Sequence, residues 1–499
     1  MCPDWAEMIV ERQSVASARQ CLIYQQVVRP GMKKNRVWLS LGFLVIVAAF
    51  HLSNLQTLNC YRLAWYDEGS YVNGAMAWSQ GRRPYTDFFF AHPPGIMVLP
   101  RLALTFGIGV MGQRWIYWFG GIVLTMLIAI LAKILSERNG DKESWAAAGF
   151  AAVLVSSSSI ALDAETLVMT DLPAAILIVG SVLCLFNRHV LAPAAAAILI
   201  VCASSFRVQS LVMAPGLALW IWSRSGWRYG ILPCCLFMGS LIGGLFLLHY
   251  GLMLKFERYW ECVVGFQATR ERETWTGRVG FFTLLMEQIS FSLGLLASAL
   301  MLTTRDRDFQ GLGLTILLAT FASSVVGNSM SPKDFLFIIA LMCACAGTLL
   351  ASSTWVIRDP RALLVAALIV AAIQLPLQSG RIIRPFKLNA WERPLIERIT
   401  ATPYRTIFTT DYKIAFLTGK ELPVDYDSVD HFALTHGKIK RFEPWLESIL
   451  PKCECVIVTD HLLDISPRIA EILLASGKPL IYANAEVEGR VKPLETSNE

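Results

Sequence analysis

The chain has 499 residues, a formal net charge of +6, 55% hydrophobic residues and only 16% charged ones. Soluble domains carry nearer a quarter charged residues, so this balance excludes an ordinary soluble enzyme. Mean hydropathy is +0.49, the twelve cysteines show no zinc-ligand spacing, and nothing in the charge pattern points to nucleic acid.

The apolar residues come in long runs rather than in stripes. Val37–Leu55, Trp115–Leu135, Leu172–Phe186, Ile231–Leu248 and Phe335–Ala351 each approach the length that crosses a hydrocarbon core of about 30 Å. Only a helix crosses alone, because it satisfies its own backbone hydrogen bonds. Residues 1–36 are mixed and polar and end in Arg29, Lys33, Lys34 and Arg36. That cluster holds the N-terminus in the cytoplasm, and the run behind it reads as an anchoring span rather than a cleavable signal.

From there eleven spans are expected, at 37–55, 114–135, 145–162, 171–186, 190–205, 208–222, 230–249, 281–302, 311–327, 335–351 and 362–378. A long outer loop, 56–113, follows the first span, and a second, 250–280, follows the seventh. The inner connections carry Arg138, Lys142, Arg188, Arg224, Arg228, Arg305, Arg307, Arg358 and Arg361, whereas the short outer turns carry Arg207 and Lys333. This is the charge asymmetry that sets orientation.

After residue 378 the pattern changes. Thr406–Thr409, Cys455–Thr459 and Leu480–Tyr482 read as short strands, and Ser466–Ser476 as a helix opened by Ser466 and Pro467 and closed by Gly477. The expected fold is therefore an all-α polytopic membrane protein with a small C-terminal extramembrane α/β domain. Its organisation is a cytoplasmic segment 1–36, a transmembrane domain 37–378 and the domain 379–499.

The first outer loop is the most informative stretch. Tyr66, Asp67, Glu68 and Tyr71 follow the first span, Ala75–Gln80 reads as a short interfacial helix carrying Trp78, and Arg82-Arg83-Pro84-Tyr85 leads to His92-Pro93-Pro94-Gly95. Carboxylates at a membrane boundary are hydrated, paired or functional. By residue type alone, two solvated loop acids are the plainer reading. The order Asp-Glu-Gly, then Gly-x-x-Pro-Tyr-x-Asp, then His-Pro-Pro-Gly changes that weighting. It resembles the first outer loop of the GT-C superfamily of membrane glycosyltransferases, in the bacterial branch related to protein O-mannosyltransferases, aminoarabinose transferases and rhizobial lipopolysaccharide glycosyltransferases.

The resemblance implies transfer of a sugar from a polyprenyl-phosphate donor to a hydroxyl of a lipid, glycan or protein, at the outer face of a bacterial inner membrane. It makes Asp67 the general base of a single inverting displacement and Glu68 the group that orients the acceptor or holds Asp67. It also places Asp171 opposite the first-loop acid; helix capping by Asp171 is the structural alternative. Asp163 and Glu165, in the same turn, are weaker candidates. A phosphate leaving group needs charge stabilisation, so Lys333, Arg207 and His92 become candidate phosphate ligands. Snorkelling, or a Lys333–Asp334 ion pair, accounts for the cations otherwise. Tyr66, Tyr71 and Tyr85 are candidates for positioning the acceptor or substrate. No obligatory metal or other cofactor is expected, since two adjacent carboxylates are a thin ligand set, although a divalent ion is compatible with them. The second outer loop, with Lys255, Arg258, Trp260, Arg270, Arg272 and Trp275, grips an anionic acceptor or lies on anionic lipid. A lipid or polysaccharide flippase is the competing reading, yet the acids cluster at a boundary and no internal repeat is visible.

Overall fold

A computed structural model describes residues 37–55, 58, 66–87, 90, 92–141, 144–252, 256–265, 274–326, 332–352, 361–382, 392–410, 414–415, 418, 420, 442–464, 466 and 468–495. Among the described residues, four helices are long and apolar enough to cross a membrane: Val37–Leu55, Gly112–Arg138, Ile231–Leu248 and Arg307–Val325. Shorter apolar helices at Gly95–Thr105, Asp171–Phe186, Ala192–Phe206, Leu336–Ala351 and Arg361–Pro376 complete the bundle.

We label the helices α1 (Val37–Leu55), α2 (Tyr66–Ser79), α3 (Gly95–Thr105), α4 (Val110–Arg138), α5 (Ser144–Ser156), α6 (Ser159–Thr166), α7 (Asp171–Phe186), α8 (Ala192–Phe206), α9 (Met213–Tyr229) and α10 (Ile231–Leu252). The series continues with α11 (Trp275–Met286), α12 (Ile289–Met301), α13 (Arg307–Val326), α14 (Leu336–Ala351) and α15 (Arg361–Ile382). Most expected spans fall on these helices, but three differ in form. The span expected at 145–162 is α5 and α6, bent by 67°, and the one at 281–302 is α11 and α12, bent by 94°. The first break falls in a run of four serines. Ser156 Oγ donates to the Ala152 carbonyl at 2.7 Å and Ser157 Oγ to the Leu154 carbonyl at 3.0 Å, competition with the ladder that bends helices. The second break has Gln288 in an extended conformation ahead of α12. The span expected at 208–222 begins as a 3-10 turn, Val208–Val212, before α9.

α14 lies at the centre, with its residues from Leu336 to Thr348 all buried, which explains why it is apolar on every face. It approaches α5 closely at Gly347, where a Cβ would stand 2.6 Å from the Ala147 carbonyl oxygen. Small residues permit such contact where no water drives association.

A separate hydrophobic core is formed by the C-terminal residues, including Leu395, Phe408, Val456, Ile469 and Val487. Its sheet is parallel with strand order β1 (Ile407–Phe408), β2 (Cys455–Val458), β3 (Leu480–Tyr482), pairing Phe408 with Val456 and Ile457 with Ile481. All four residues of the central strand are buried, as a strand covered on both faces requires. The helix expected at Ser466–Ser476 spans Ile469–Ala475, with Gly477 at φ +63° behind it. Burial pushes the Cys453 and Cys455 thiols up to about 11.

Candidate active site

The first outer loop contains two helices rather than the one short helix expected at Ala75–Gln80. α2 begins at Tyr66 and carries Asp67 and Glu68 in its first turn. α3 begins at Gly95, directly after His92-Pro93-Pro94. Trp78, expected at the headgroups, is half-buried with the Arg101 guanidinium 4.5 Å above its ring, a contact joining α2 to α3. Gly95 explains the motif that contains it. A Cβ there would lie 2.5 Å from the Ser205 carbonyl oxygen, so only glycine lets α3 meet the end of α8.

Glu68 is fully buried. Arg114 of α4 donates to it through Nε at 2.9 Å and Nη2 at 2.5 Å, and the Val168 backbone N–H adds a bond of 3.1 Å. Glu68 therefore ties the first turn of α2 to α4 and to the turn before α7. These three bonds engage the carboxylate expected to orient the acceptor or hold Asp67.

Three residues beyond Val168, Asp171 opens α7, where a carboxylate complements the helix dipole. No capping bond from its side chain is present. Its carboxylate instead pairs with Arg207, and Arg207 pairs through its other terminal nitrogen with Asp334. Arg207 Nη1 also donates to Thr170 Oγ1 at 3.2 Å. Arg207 is extended backbone at the end of α8, next to the Ser205 that Gly95 touches. Asp334 belongs to the 3-10 turn Pro332–Phe335 that leads into α14. Lys333 lies in the same turn, but its side chain, like those of Tyr66 and Asp67, is outside the described residues. The expected pairing of Lys333 with Asp334 lies outside the described residues for the same reason, and Asp334 pairs with Arg207. Arg207, expected as a phosphate ligand, is engaged by two carboxylates.

Tyr71, Tyr85 and His92 form an aromatic cluster beside this site. The His92 ring is 5.0 Å from Tyr71 and 5.9 Å from Phe90, edge to face in both cases. The buried Tyr85 takes φ +64°, donates its hydroxyl to the His92 carbonyl at 2.6 Å, and packs edge-on against Tyr259 at 5.2 Å. Burial, with Tyr259 and Cys262 beside it, holds its phenol well above the ordinary range. Tyr85 thus serves the conformation of the loop, and so does Asp87, which accepts from the Arg83 backbone N–H at 2.7 Å.

Segments far apart in sequence are thereby brought to one end of the bundle: the start of α2, the turn 167–171, Arg207 and the 332–335 turn. No protein-family profile and no curated protein matches the sequence. The fold does have solved counterparts. ArnT from Cupriavidus metallidurans bound to undecaprenyl phosphate superposes with a TM-score of 0.54 at 14% identity, over 88% of this chain and 90% of ArnT. Its apo state gives 0.53 at 14% identity, over 77% and 85%. The Archaeoglobus fulgidus oligosaccharyltransferase in complex with Zn and sulfate gives 0.51 at 14% identity, over 86% of this chain and 69% of that one. The chain shares the fold of ArnT and of this oligosaccharyltransferase.

The bundle also buries a polar cluster that sequence reading did not assemble. Glu165, expected as one of the weaker site candidates, pairs with His51 Nδ1 at 3.0 Å and accepts from Asn54, while His51 Nε2 meets Thr125 Oγ1 at 3.2 Å. It joins α1, α4 and α6. Gly121 makes room for it, since a Cβ there would overlap the Glu165 carboxylate. Polar residues at positions 51 and 54 of an otherwise apolar span were the available signal. Of the second outer loop, Lys255, Arg270 and Arg272 and the side chain of Arg258 lie outside the described residues; Trp260 and Trp275 are exposed. Among the described residues, no group of three or more His, Cys, Asp or Glu side chains is placed to hold a metal ion.

Proposed function

We propose that this protein is an integral membrane glycosyltransferase that transfers a sugar from a polyprenyl-phosphate donor to a hydroxyl acceptor at the outer face of a bacterial inner membrane. The observation that carries the reading is the convergence of the Asp67–Glu68 helix start, Asp171, Arg207 and the Lys333–Asp334 turn within a GT-C bundle. Residues 37–378 form the transferase and 379–499 an extramembrane α/β domain.

In this reading Asp67 is the general base that takes the acceptor hydroxyl proton as its oxygen attacks the anomeric carbon. Positioned proton transfer of this kind contributes roughly 10²–10⁴-fold. Glu68, locked by Arg114 and Val168, fixes the turn from which Asp67 projects. The leaving phosphate departs as an anion and needs cations rather than an acid. Lys333, one residue from the Asp334 that holds Arg207, is the leading ligand for it, with His92 at the rim of the aromatic cluster. Arg207 contributes chiefly by ordering the Asp171 and Asp334 turns around that anion.

The test is an assay in proteoliposomes with a panel of radiolabelled polyprenyl-phosphate sugars, wild type against Asp67→Asn. Release of polyprenyl phosphate by the wild type, reduced by at least a hundredfold in the variant, is expected. Equal turnover by Asp67→Asn would remove Asp67 from the mechanism. Vectorial movement of the intact lipid-linked sugar without cleavage would replace the transferase by a flippase.

A further inference from the structure

α7 starts at Asp171 and α8 ends beside Arg207, so the turn that joins them lies at the far end of both helices. At 1.5 Å per residue this is about 24 Å from the candidate active site, near the opposite membrane face. A cavity of about 320 Å³ opens there. Its polar lining is Asn187, Arg188, His189, Arg224 and Ser225, and its apolar walls include Trp220, Ile221 and Pro233.

The charges around it do not cancel. Asp308 is the buried carboxylate of the region, and it serves both Arg138 and, at 3.3 Å, Arg224 Nε, while also accepting from Trp220 Nε1 at 3.1 Å. Arg188 adds a further positive charge and Asp306 a second negative one, so three arginines face two carboxylates. Arg224 Nη1 donates to the Leu185 carbonyl, but its Nη2 is buried without a hydrogen-bond partner. A guanidinium N–H left in that state costs free energy that an anionic acceptor restores. His189 is prepared in the same sense. Its Nδ1 accepts from the Leu191 backbone N–H at 3.2 Å, so the neutral ring carries its proton on Nε2 and donates from there.

We propose that this cavity binds the phosphodiester of an anionic membrane phospholipid. The phosphate oxygens meet the Arg224 and Arg188 guanidinium groups and His189 Nε2, and the glycerol and first methylenes lie on Trp220, Ile221 and Pro233. Plain orientation by inner-face cations needs neither a cavity nor a guanidinium with an unpaired N–H at its wall, and both are present here. Basic pockets between membrane helices suit such headgroups. Occupancy would also brace the Arg138–Asp308–Arg224 network that ties α4 to α9 and α13. The site is separate from the proposed transferase chemistry and does not depend on it.

The experiment uses the full chain in detergent, titrated with phosphatidylglycerol, with phosphatidylcholine of the same acyl chains, and with inorganic phosphate. Native mass spectrometry counts bound lipid and thermal unfolding reads stabilisation. One phosphatidylglycerol bound with a raised unfolding midpoint is expected, and the double variant Arg188→Gln/His189→Gln should weaken that binding by about tenfold. Both side chains are exposed, so the lipid-free midpoint of this variant should match wild type. Equal stabilisation by phosphatidylcholine, or an unchanged affinity in the variant, would overturn the proposal. Full stabilisation by inorganic phosphate alone would also overturn it, in favour of a free-anion site.

Discussion

Removing Arg114 tests whether the Glu68 carboxylate anchors the first-loop helix. Glu68 and Arg114 are 0% and 1% exposed and share two hydrogen bonds, of 2.9 and 2.5 Å. Arg114→Met leaves a buried carboxylate with the Val168 N–H as its remaining described donor, a change that costs about 3–5 kcal/mol. Glu68→Met takes both of these bonds from the guanidinium and should also lower stability. The double variant removes both charges and loses chiefly the bond to Val168, worth about 1–3 kcal/mol once its N–H is left unpaired. The expected order of stability is therefore wild type, then the double variant, then either single. Cys343 and Cys345, buried in α14, supply the reporter. Their labelling by a maleimide tracks the opened population, and each 1.4 kcal/mol is a factor of ten. Arg114→Met should thus label them about a hundredfold to several thousandfold faster, and the double variant more slowly than that. Additive effects of the two singles, or wild-type labelling in Arg114→Met, would refute the argument.

Gly95→Ala forces the α3–α8 contact apart, because the new methyl meets the Ser205 backbone. It should cost about 1–3 kcal/mol and lower turnover, whereas Gly239→Ala, whose Cβ meets nothing within 4 Å, should do neither. Equal behaviour of the two variants in unfolding and turnover assays would dismiss the close approach. The C-terminal sheet should be sensitive to alkali. Cys453 and Cys455 have folded pKa values of about 11, raised by burial above the ordinary thiol value. Their neutral forms are favoured by folding, so this contribution is complete below the unfolded thiol pKa and is lost as pH rises through about 11. Iodoacetamide at pH 7.5 should leave both thiols unmodified in the folded protein, and rapid modification there would contradict their burial.

Much of the architecture was legible because membrane helices announce themselves locally. A run such as Val37–Leu55 must be apolar along its length and must close its own hydrogen bonds, so sequence alone determined that it is a helix. The strands around Val456 and the Gly477 stop were readable for the same reason, since continuous burial and a left-handed turn constrain residue type directly. The loop motif likewise singled out Asp67–Glu68 and His92–Gly95, which the fold places at the starts of α2 and α3.

Partnership was another matter. Glu68 and Arg114 are 46 residues apart, Asp171 and Arg207 stand on different helices, and Asp334 arrives from a third segment, so no local pattern distinguishes a paired arginine from one awaiting phosphate. The bends at the serine run and at Gln288 were hidden too, because hydropathy sums over a window and does not register where a side chain breaks the ladder. His51, read as part of an apolar span, acquired its meaning only when α6 brought Glu165 beside it. Sequence determined which segments are helices and strands, because burial dictates composition residue by residue. Tertiary structure alone decided which charges meet, because the free energy of a buried charge depends on its neighbours in space.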